Sequence, residues 1–321
     1  MSERKKLAVV LFNLGGPDSL DAVEPFLFNL FRDPAIIRLP NPLRWLIAKL
    51  ISGRRASVAR GIYAQIGGRS PILPQTEAQA RALEAALSQD ADMRCFIAMR
   101  CWHPFADETA QEVKQWGPDE IVLLPLYPQF STTTTESSLK DWARAAKAAR
   151  LKVPTFTVRD YPEQAGFIEA YAKLLRSILE ALKSQQPLLV LFSAHGLPQR
   201  IVDAGDPYPK QIAASCAAIA AAANLRPHEW RLSYQSRVGP MKWIGPSTEE
   251  AIRQAGGKGL VVLPVAFVSE HSETLVELDI DYAKLAQEVG VPLYVRVPSV
   301  QTQPDFINGL AELVRAARGG D

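Results

Sequence analysis

Short apolar runs alternate with alanine-rich amphipathic stretches along most of the chain. The runs KLAVVLFNL, RCFIAMR and EIVLLPLY favour strands, whereas TEAQARALEAALSQ and ESSLKDWARAAKAAR place alanine and leucine at helical spacing. Near-continuous apolar strands separated by helices are typical of a parallel sheet that is covered on both faces. The pattern therefore predicts an α/β fold.

The same order of elements occurs twice. PLLVLFSAHGLP is similar to KLAVVLFNLGGP, and GLVVLPVAFVSEHSETLVEL is similar to EIVLLPLYPQFSTTTTESSL. We predict two similar doubly wound halves, each with a four-stranded parallel sheet. The boundary is expected near residues 185–187, which gives an N-terminal half of residues 1–186 and a C-terminal half of residues 187–321.

The first half carries extra sequence at about residues 23–66. Within it, PLRWLIAKLI has apolar residues at helical spacing, and lysine and arginine lie nearby. One interpretation is an ordinary surface helix that packs on the sheet. The other is a flexible basic lip that rests on a membrane surface and covers a pocket for a flat apolar ligand.

Composition narrows the class of protein. The 321 residues carry a net charge of +2 with acids and bases interspersed, so we expect no nucleic-acid partner. Three scattered cysteines indicate neither a disulfide framework nor a thiolate cluster. The apolar run LAVVLFNL is cut by GGPD without a cleavage site, and no run approaches the roughly 20 residues of a membrane-spanning helix. We expect a cytoplasmic protein that at most lies peripherally on the inner membrane surface.

Candidate chemistry lies where strands of the second half end, because ligands of open α/β sheets bind beyond the carboxyl ends of the strands. His195 follows the apolar run LLVLFSA. It either caps the next loop or acts as a base or metal ligand, since neutral imidazole accepts a proton near neutral pH and binds transition metals.

An acidic stretch follows the third strand of the second half. Glu273, Glu277 and Asp281 recur every four residues, so a helix that begins near Ser272 would place the three carboxylates on one face. Such a stripe is either a solvated surface or a path for cations or protons. We interpret His271 as a support for its acidic neighbours.

Two common types of site are not indicated. LFNLGGPDS does not satisfy G-x-G-x-x-G, and no phosphate-binding G-x-x-x-x-G-K-[ST] motif is present. A G-x-S-x-G nucleophile elbow is also missing, so a serine hydrolase built on Ser193 and His195 is not supported.

Six segments together resemble the ferrochelatases almost from end to end: LFNLGGPDS, YAQIGGRSPI, LPLYPQFSTTTTESSL, FSAHGLP, YQSRVGPMKWIGPST and VAFVSEHSETLVELDIDY. The resemblance implies two flavodoxin-like halves with a porphyrin cleft between them. It also implies a lyase that inserts Fe²⁺ into protoporphyrin IX, gives protohaem and releases two protons, as the last step of haem biosynthesis.

The resemblance assigns roles residue by residue. His195 and Glu273 are similar to the family's catalytic and metal-insertion pair, and the segment at about residues 23–66 is similar to its active-site lip. The remaining expected roles fall into three groups: support of Glu273 by Glu270 and His271, a proton or metal path through Glu277 and Asp281, and porphyrin contacts by Leu14, Arg100, Tyr127, Trp243 and Phe267.

The chain departs from the family pattern in three places. Cys101 stands where many members have tyrosine, Ala64 and Gln65 replace a basic pair of some eukaryotic members, and the sequence ends at RGGD without a cysteine-rich tail. Because an iron–sulfur cluster takes four thiolates, three scattered cysteines predict none. We expect no permanently bound cofactor, with Fe²⁺ entering as substrate.

Two rival functions remain at this point. A chelatase for another tetrapyrrole, such as coproporphyrin, would demand more basic residues around its cleft. A carrier that binds a tetrapyrrole without catalysis would need only the apolar cleft, so the presence of both His195 and Glu273 favours an enzyme.

Overall fold

The structure is a computed structural model that describes residues 5–90, 92–182, 187–237, 239 and 241–319. By the density of contacts it divides into two compact units. The first comprises Met1–Asp160 with Leu310–Asp321, and the second comprises Tyr161–Gly309.

The first unit is built on a four-stranded parallel sheet in the order β2-β1-β3-β4. Apolar strands such as β1 are buried on both faces because helices cover the sheet. Its elements are β1 (Lys6–Asn13), α1 (Val23–Arg32), α2 (Asn41–Ala64), α3 (Ile72–Leu87), β2 (Asp92–Met99), α4 (Ala106–Trp116), β3 (Glu120–Pro125), α5 (Thr135–Ala149) and β4 (Thr155–Thr157).

The second unit repeats this topology in the order β6-β5-β7-β8, again with all pairs parallel. Its elements are α6 (Ala165–Leu182), β5 (Leu188–His195), α7 (Gln199–Asp203), α8 (Tyr208–Ala222), β6 (Trp230–Gln235), α9 (Thr248–Arg253), β7 (Gly259–Leu263), a π-helix (Glu273–Tyr282), α10 (Ala283–Glu288) and β8 (Tyr294–Arg296). Helix α11 (Pro304–Gly319) begins in this unit and ends in the first.

The identical strand order agrees with the repeat read from the sequence. In each sheet the first strand of the half is central and pairs with the next two strands, β1 with β2 and β3, and β5 with β6 and β7. The predicted α/β fold with two four-stranded parallel sheets is confirmed.

The compact units do not follow the predicted boundary. Residue 186 lies outside the described residues, and the contacts divide the chain earlier, at Asp160. Helix α6 belongs to the second unit because its aromatic side chains pack there: the Phe167 ring lies 6.3 Å from Phe306, and the Tyr171 hydroxyl donates to the Pro264 carbonyl at 2.9 Å. The predicted boundary nevertheless separates the two sheets.

The segment at residues 23–66 forms α1 and α2, which pack on each other. On α2 three of the buried side chains are small, Ala48, Ser52 and Ala56, which are spaced four residues apart and at most 1% exposed, and Tyr63 near the end of the helix is the large one. The large apolar residues of PLRWLIAKLI turn outward instead, with Trp45 49% and Leu46 59% exposed. Most of the large apolar side chains of this stretch therefore lie outside the buried face of α2.

The helix predicted from about Ser272 begins at Glu273 and is a π-helix. In this form each N–H bonds to the carbonyl five residues back, a rare geometry that is often found at functional sites. The wide turn still keeps positions four residues apart near one another. No helix among the described residues combines the length and apolar character that a membrane crossing requires.

Candidate active site

His195 lies where the central strand of the second sheet ends. It is the last residue of β5 and pairs in register with Gln235, the last residue of β6. A strand flanked by parallel neighbours on both sides is fixed in position by two ladders, so the imidazole emerges from a rigid base. Its place at the carboxyl end of the sheet is the one predicted from the sequence.

Gly196 allows Trp243 to approach this strand exit. A Cβ on Gly196 would lie 2.9 Å from the Gln235 carbonyl oxygen and 3.3 Å from the Trp243 ring. The connecting backbone is fixed by Ile244, whose N–H donates to the Leu197 carbonyl at 3.0 Å. Trp243 therefore lies beside the residue that follows His195.

Glu273, the first residue of the π-helix, meets His195. The Nδ1 atom of His195 lies 2.8 Å from Oε2 of Glu273, and the two side chains are 37% and 30% exposed. This contact joins two residues that are 78 positions apart in sequence. When Nδ1 carries the proton that bonds to the carboxylate, Nε2 is left as the basic nitrogen of the ring.

His195 and Glu273 each change the pKa of the other. Burial disfavours a charged imidazole, but the Glu273 carboxylate outweighs it through its charge and hydrogen bond, and the pKa of His195 is raised. Burial likewise opposes ionisation of Glu273, yet the charge and hydrogen bond of His195 lower the pKa of this carboxyl to about 2. The Glu273 carboxylate therefore stabilises the imidazolium that forms when His195 takes up a proton.

His271 supports Glu273 through the main chain. Its Nδ1 accepts the backbone N–H of Glu273 at 3.0 Å, and its ring lies edge-on to Phe267 at 4.4 Å between centroids. Burial lowers the pKa of His271 in spite of the nearby carboxylates. The Phe267 ring also lies 6.5 Å from the His195 ring, so it packs beside both imidazoles.

Tyr171 holds the loop that carries Phe267. Its one hydroxyl proton, on α6, is shared between the carbonyls of Pro264 and Phe267, and the side chain is fully buried. Burial raises the pKa of this phenol, which keeps it protonated and able to donate. No sequence pattern indicates this role, because a tyrosine on an amphipathic helix usually belongs to the core.

Glu270 binds an arginine that the sequence did not single out. Glu270 is buried, and both of its carboxylate oxygens lie 3.0 Å from Nη1 of Arg296 at the end of β8. The backbone N–H of Ser299 donates to the same carboxylate at 2.9 Å. A lone charged residue at the end of an apolar strand was the available signal for Arg296.

Glu277 and Asp281 continue from Glu273 towards solvent. Glu277 is partly buried and accepts hydrogen bonds from the Gln235 amide at 3.0 Å and the Ser236 hydroxyl at 2.5 Å. Burial and the Glu273 charge raise the pKa of Glu277, whereas Asp281 is exposed. Within the described part of the chain, no three His, Cys, Asp or Glu side chains form a ready-made metal cluster.

The remaining predicted residues belong to the first unit. Leu14 follows β1 and packs partly buried against the cluster formed by α1, α2 and Cys101. The guanidinium of Arg100 pairs with buried Asp33 at 2.9 Å and donates to the Ser137 hydroxyl at 2.7 Å. Tyr127 follows β3, and burial raises the pKa of its phenol.

We expect His195 and His271 to titrate on opposite sides of the ordinary imidazole pKa of about 6.5. In a pH series of NMR spectra, assigned with His195→Ala and His271→Ala, His195 should lose its proton above that value and His271 below it. Glu273→Gln removes the charge that raises the pKa of His195, so the His195 midpoint should fall. A midpoint that stays in place would contradict the assigned pairing.

Comparison with protein families identifies one match over nearly the whole chain. A family model described as Ferrochelatase matches residues 6–318. A ferrochelatase of Caulobacter vibrioides is 57% identical over 98% of this chain and 91% of its own length. One from Phenylobacterium zucineum is 58% identical, over 97% of this chain and 91% of its own length.

Solved structures share the fold at low sequence identity. SirB from Bacillus subtilis, solved with Fe³⁺, superposes with a TM-score of 0.57 at 13% identity and covers 99% of this chain and 98% of its own. CbiX, described as the terminal enzyme for the biosynthesis of sirohaem in denitrifying bacteria, gives a TM-score of 0.52 at 15% identity, with 98% and 99% covered. These similarities concern the architecture.

Proposed function

This chain belongs to the ferrochelatase family, and we propose that His195 and Glu273 carry out its reaction at the exit of β5. The reaction is the insertion of Fe²⁺ into protoporphyrin IX, which gives protohaem and releases two protons. Two pyrrole N–H bonds break and bonds from nitrogen to iron form, without a change in the oxidation state of the metal. The protein must therefore accept protons and receive a cation in the same place.

The 2.8 Å contact between His195 and Glu273 is the observation that carries the proposal. Neutral His195 accepts the two pyrrole protons at Nε2 one after the other and passes each on to solvent, and the Glu273 carboxylate stabilises the imidazolium that forms each time. A raised pKa of His195 favours proton uptake over metal binding, because a metal needs the neutral ring. Glu273, whose pKa is lowered, remains ionised and provides the oxygen that meets the iron.

The porphyrin contacts are proposed separately for each unit. In the second unit, Trp243 and Phe267 lie beside His195 and offer apolar ring surface to a macrocycle. Contact with such rings can distort a bound macrocycle. The strain energy is about 1–5 kcal/mol and is offset by part of the binding free energy. In the first unit, Leu14, Arg100 and Tyr127 are proposed as contacts, with Asp33 and Ser137 fixing the guanidinium.

The direct test is anaerobic insertion. Purified protein is mixed with Fe²⁺ and protoporphyrin IX, or with coproporphyrin III, while the absorption change from free porphyrin to haem is followed. Faster haem formation from protoporphyrin IX supports the proposal. Preference for coproporphyrin III would assign the chain to a different substrate, and porphyrin binding without insertion would make it a carrier.

We propose that protons leave, or hydrated iron enters, along Glu277 and Asp281. Glu277→Gln keeps the shape of a side chain bonded to Gln235 and Ser236 but removes its charge. We expect insertion to slow about tenfold at limiting iron and less at saturating iron, the range for residues that support a metal site. Steady-state kinetics against Fe²⁺ concentration measure this.

The matched control for Glu277→Gln is Glu288→Gln, an acid on α10 that is 58% exposed. It should leave the iron dependence at the wild-type value. If Glu277→Gln itself left the iron dependence unchanged, Glu277 and Asp281 would be part of a solvated surface and not a path for protons or iron.

The cysteines support a protein without an iron–sulfur cluster. Burial raises the pKa of all three thiols, that of Cys101 to about 12, so they stay protonated, whereas clusters bind thiolates. We propose that iron passes through as substrate and that no cofactor stays bound. Purified protein should contain no acid-labile sulfide.

We also propose that α2 contacts a membrane surface at the periphery. Leu43, Trp45, Leu46 and Leu50 are about half exposed, and the basic residues Lys49 and Arg54 lie among them. Apolar and basic side chains together favour an anionic bilayer surface. Trp45→Ala should lower co-sedimentation with anionic vesicles, whereas Val58→Ala, at a 69% exposed position further along α2, should not.

A further inference from the structure

We propose that Arg296 is a positioning residue for iron insertion, because it holds the π-helix and the loop before it in the geometry that presents Glu273 to His195. This inference rests on the roles proposed above for His195 and Glu273. Arg296 lies at the end of β8, the edge strand of the second sheet, and its guanidinium bonds to Asp279, Glu270 and the Val297 carbonyl instead of to either of those two side chains.

Arg296 binds two carboxylates at once. Its Nε and Nη2 atoms donate to the two oxygens of Asp279 at 2.6 Å and 2.8 Å, a bidentate pair. Its Nη1 donates to both oxygens of Glu270 at 3.0 Å. We call Arg296, Glu270 and Asp279 the arginine clamp.

The clamp spans the segment that carries Glu273. Glu270 belongs to the loop before the π-helix, and Asp279 lies within the π-helix, so one guanidinium fixes the chain on both sides of Glu273. A planar guanidinium with fixed donor directions restricts both partners in orientation as well as distance. The position of Glu273 therefore depends on β8.

A π-helix needs such support, because its wide turn is rare and is not maintained by local preference. A second residue of β8 holds the same helix: the Tyr294 hydroxyl donates to the Leu278 carbonyl at 2.8 Å. Strand β8 is held in place by its parallel pairing with β7. Arg296 and Tyr294 therefore fix the position of the π-helix relative to the sheet.

Because the arginine clamp is largely buried, each of its charges depends on its partner for compensation. The side chains of Arg296 and Glu270 are 10% and 7% exposed, whereas that of Asp279 is 35% exposed. Removal of Arg296 would leave the buried Glu270 carboxylate uncompensated, which risks global destabilisation. Removal of the Asp279 charge weakens only the pair between Asp279 and Arg296, and the side chain at position 279 stays in contact with solvent.

Asp279→Asn is therefore the decisive variant, and Asp279→Glu is its conservative partner. We expect Asp279→Asn to lower kcat/KM for Fe²⁺ about tenfold at saturating porphyrin, as the loss of an outer partner of a metal site does. Porphyrin affinity, measured by fluorescence quenching, should stay at the wild-type value. Asp279→Glu should recover most of the loss because it restores the carboxylate.

Hydrogen–deuterium exchange gives a readout that does not depend on activity. Amides of residues 270–282 should exchange faster in Asp279→Asn, while those of α8 in the same unit should be unchanged. Asp107→Asn is the matched control, since Asp107 also forms a bidentate pair with an arginine, Arg144, at 2.8 Å and 2.7 Å, on the surface of the first unit.

Wild-type exchange and wild-type iron dependence in Asp279→Asn would overturn the proposal, and so would an equal effect of Asp107→Asn. Glu273→Gln, measured in the same series, separates this outcome from a failure of the proposed function. If Glu273→Gln inserts iron at the wild-type rate, the assignment of the reacting pair is wrong whatever Asp279→Asn does.

Discussion

Glu273→Gln should slow the insertion of Fe²⁺ into protoporphyrin IX by about 10²- to 10⁴-fold, the range for loss of a group that acts in proton transfer. The amide keeps the size of the side chain but carries no charge to stabilise protonated His195 or to receive the cation. Porphyrin binding should stay intact, because apolar ring contacts do not depend on this charge. The measurement is the single-turnover rate of haem formation under anaerobic conditions.

The same assay should show that the pair acts as one unit. His195→Ala alone should cost about as much as Glu273→Gln, and the double variant should be scarcely slower than either single one, because residues that share one step are strongly non-additive. Independent, multiplying losses would mean that His195 and Glu273 serve separate steps. Retention of insertion by either single variant would remove that residue from the reaction.

Gly166→Ala should lower the free energy of unfolding by about 3 kcal/mol, towards the upper end for overpacking. A Cβ at this position on α6 would lie 2.2 Å from the carbonyl oxygen of Asp305 and 3.0 Å from the Cα of Gly309. Both neighbours are main-chain atoms of α11 in the same unit, and they cannot move without displacing the helix. Urea denaturation monitored by circular dichroism measures the loss.

Gly61→Ala is the control for this substitution and should act in the opposite direction. Gly61 lies within α2, is exposed, and has no atom within 4 Å of the added Cβ. Alanine there should raise stability by about 0.5–1 kcal/mol, because it lowers the entropy of the unfolded chain and favours helix. If both variants were equally destabilising, close packing between α6 and α11 would not be the cause.

Much of the fold could be predicted because it depends on periodicity. Short continuous apolar runs between helical stretches are typical of strands that are buried on both faces, and their repetition predicted two similar sheets. The position of His195 followed, because a residue that ends a central parallel strand lies at the ligand-binding edge. The start of the helix at Glu273 was also indicated by the run of acids.

Features that depend on tertiary contacts were not accessible in this way. Acids spaced by four suit both an α-helix and a π-helix, so the sequence could not reveal that β8 supports the wider turn through Arg296. On α2, the small residues Ala48 and Ser52 face inward, although hydrophobicity alone favours the large neighbours for the core. The units divide at Asp160 because aromatic packing assigns α6 to the second unit.

The central strands of the two sheets end in similar turns but in different side chains. In the alignment of the two halves His195 corresponds to Leu14, and each is followed by a glycine whose missing side chain admits a tryptophan, Gly196 beside Trp243 and Gly15 beside Trp102. The two halves thus have the same turn, but the residue before the glycine is an imidazole in the second half and an aliphatic side chain in the first. Of these two strand ends, only that of the second half can exchange a proton at this position.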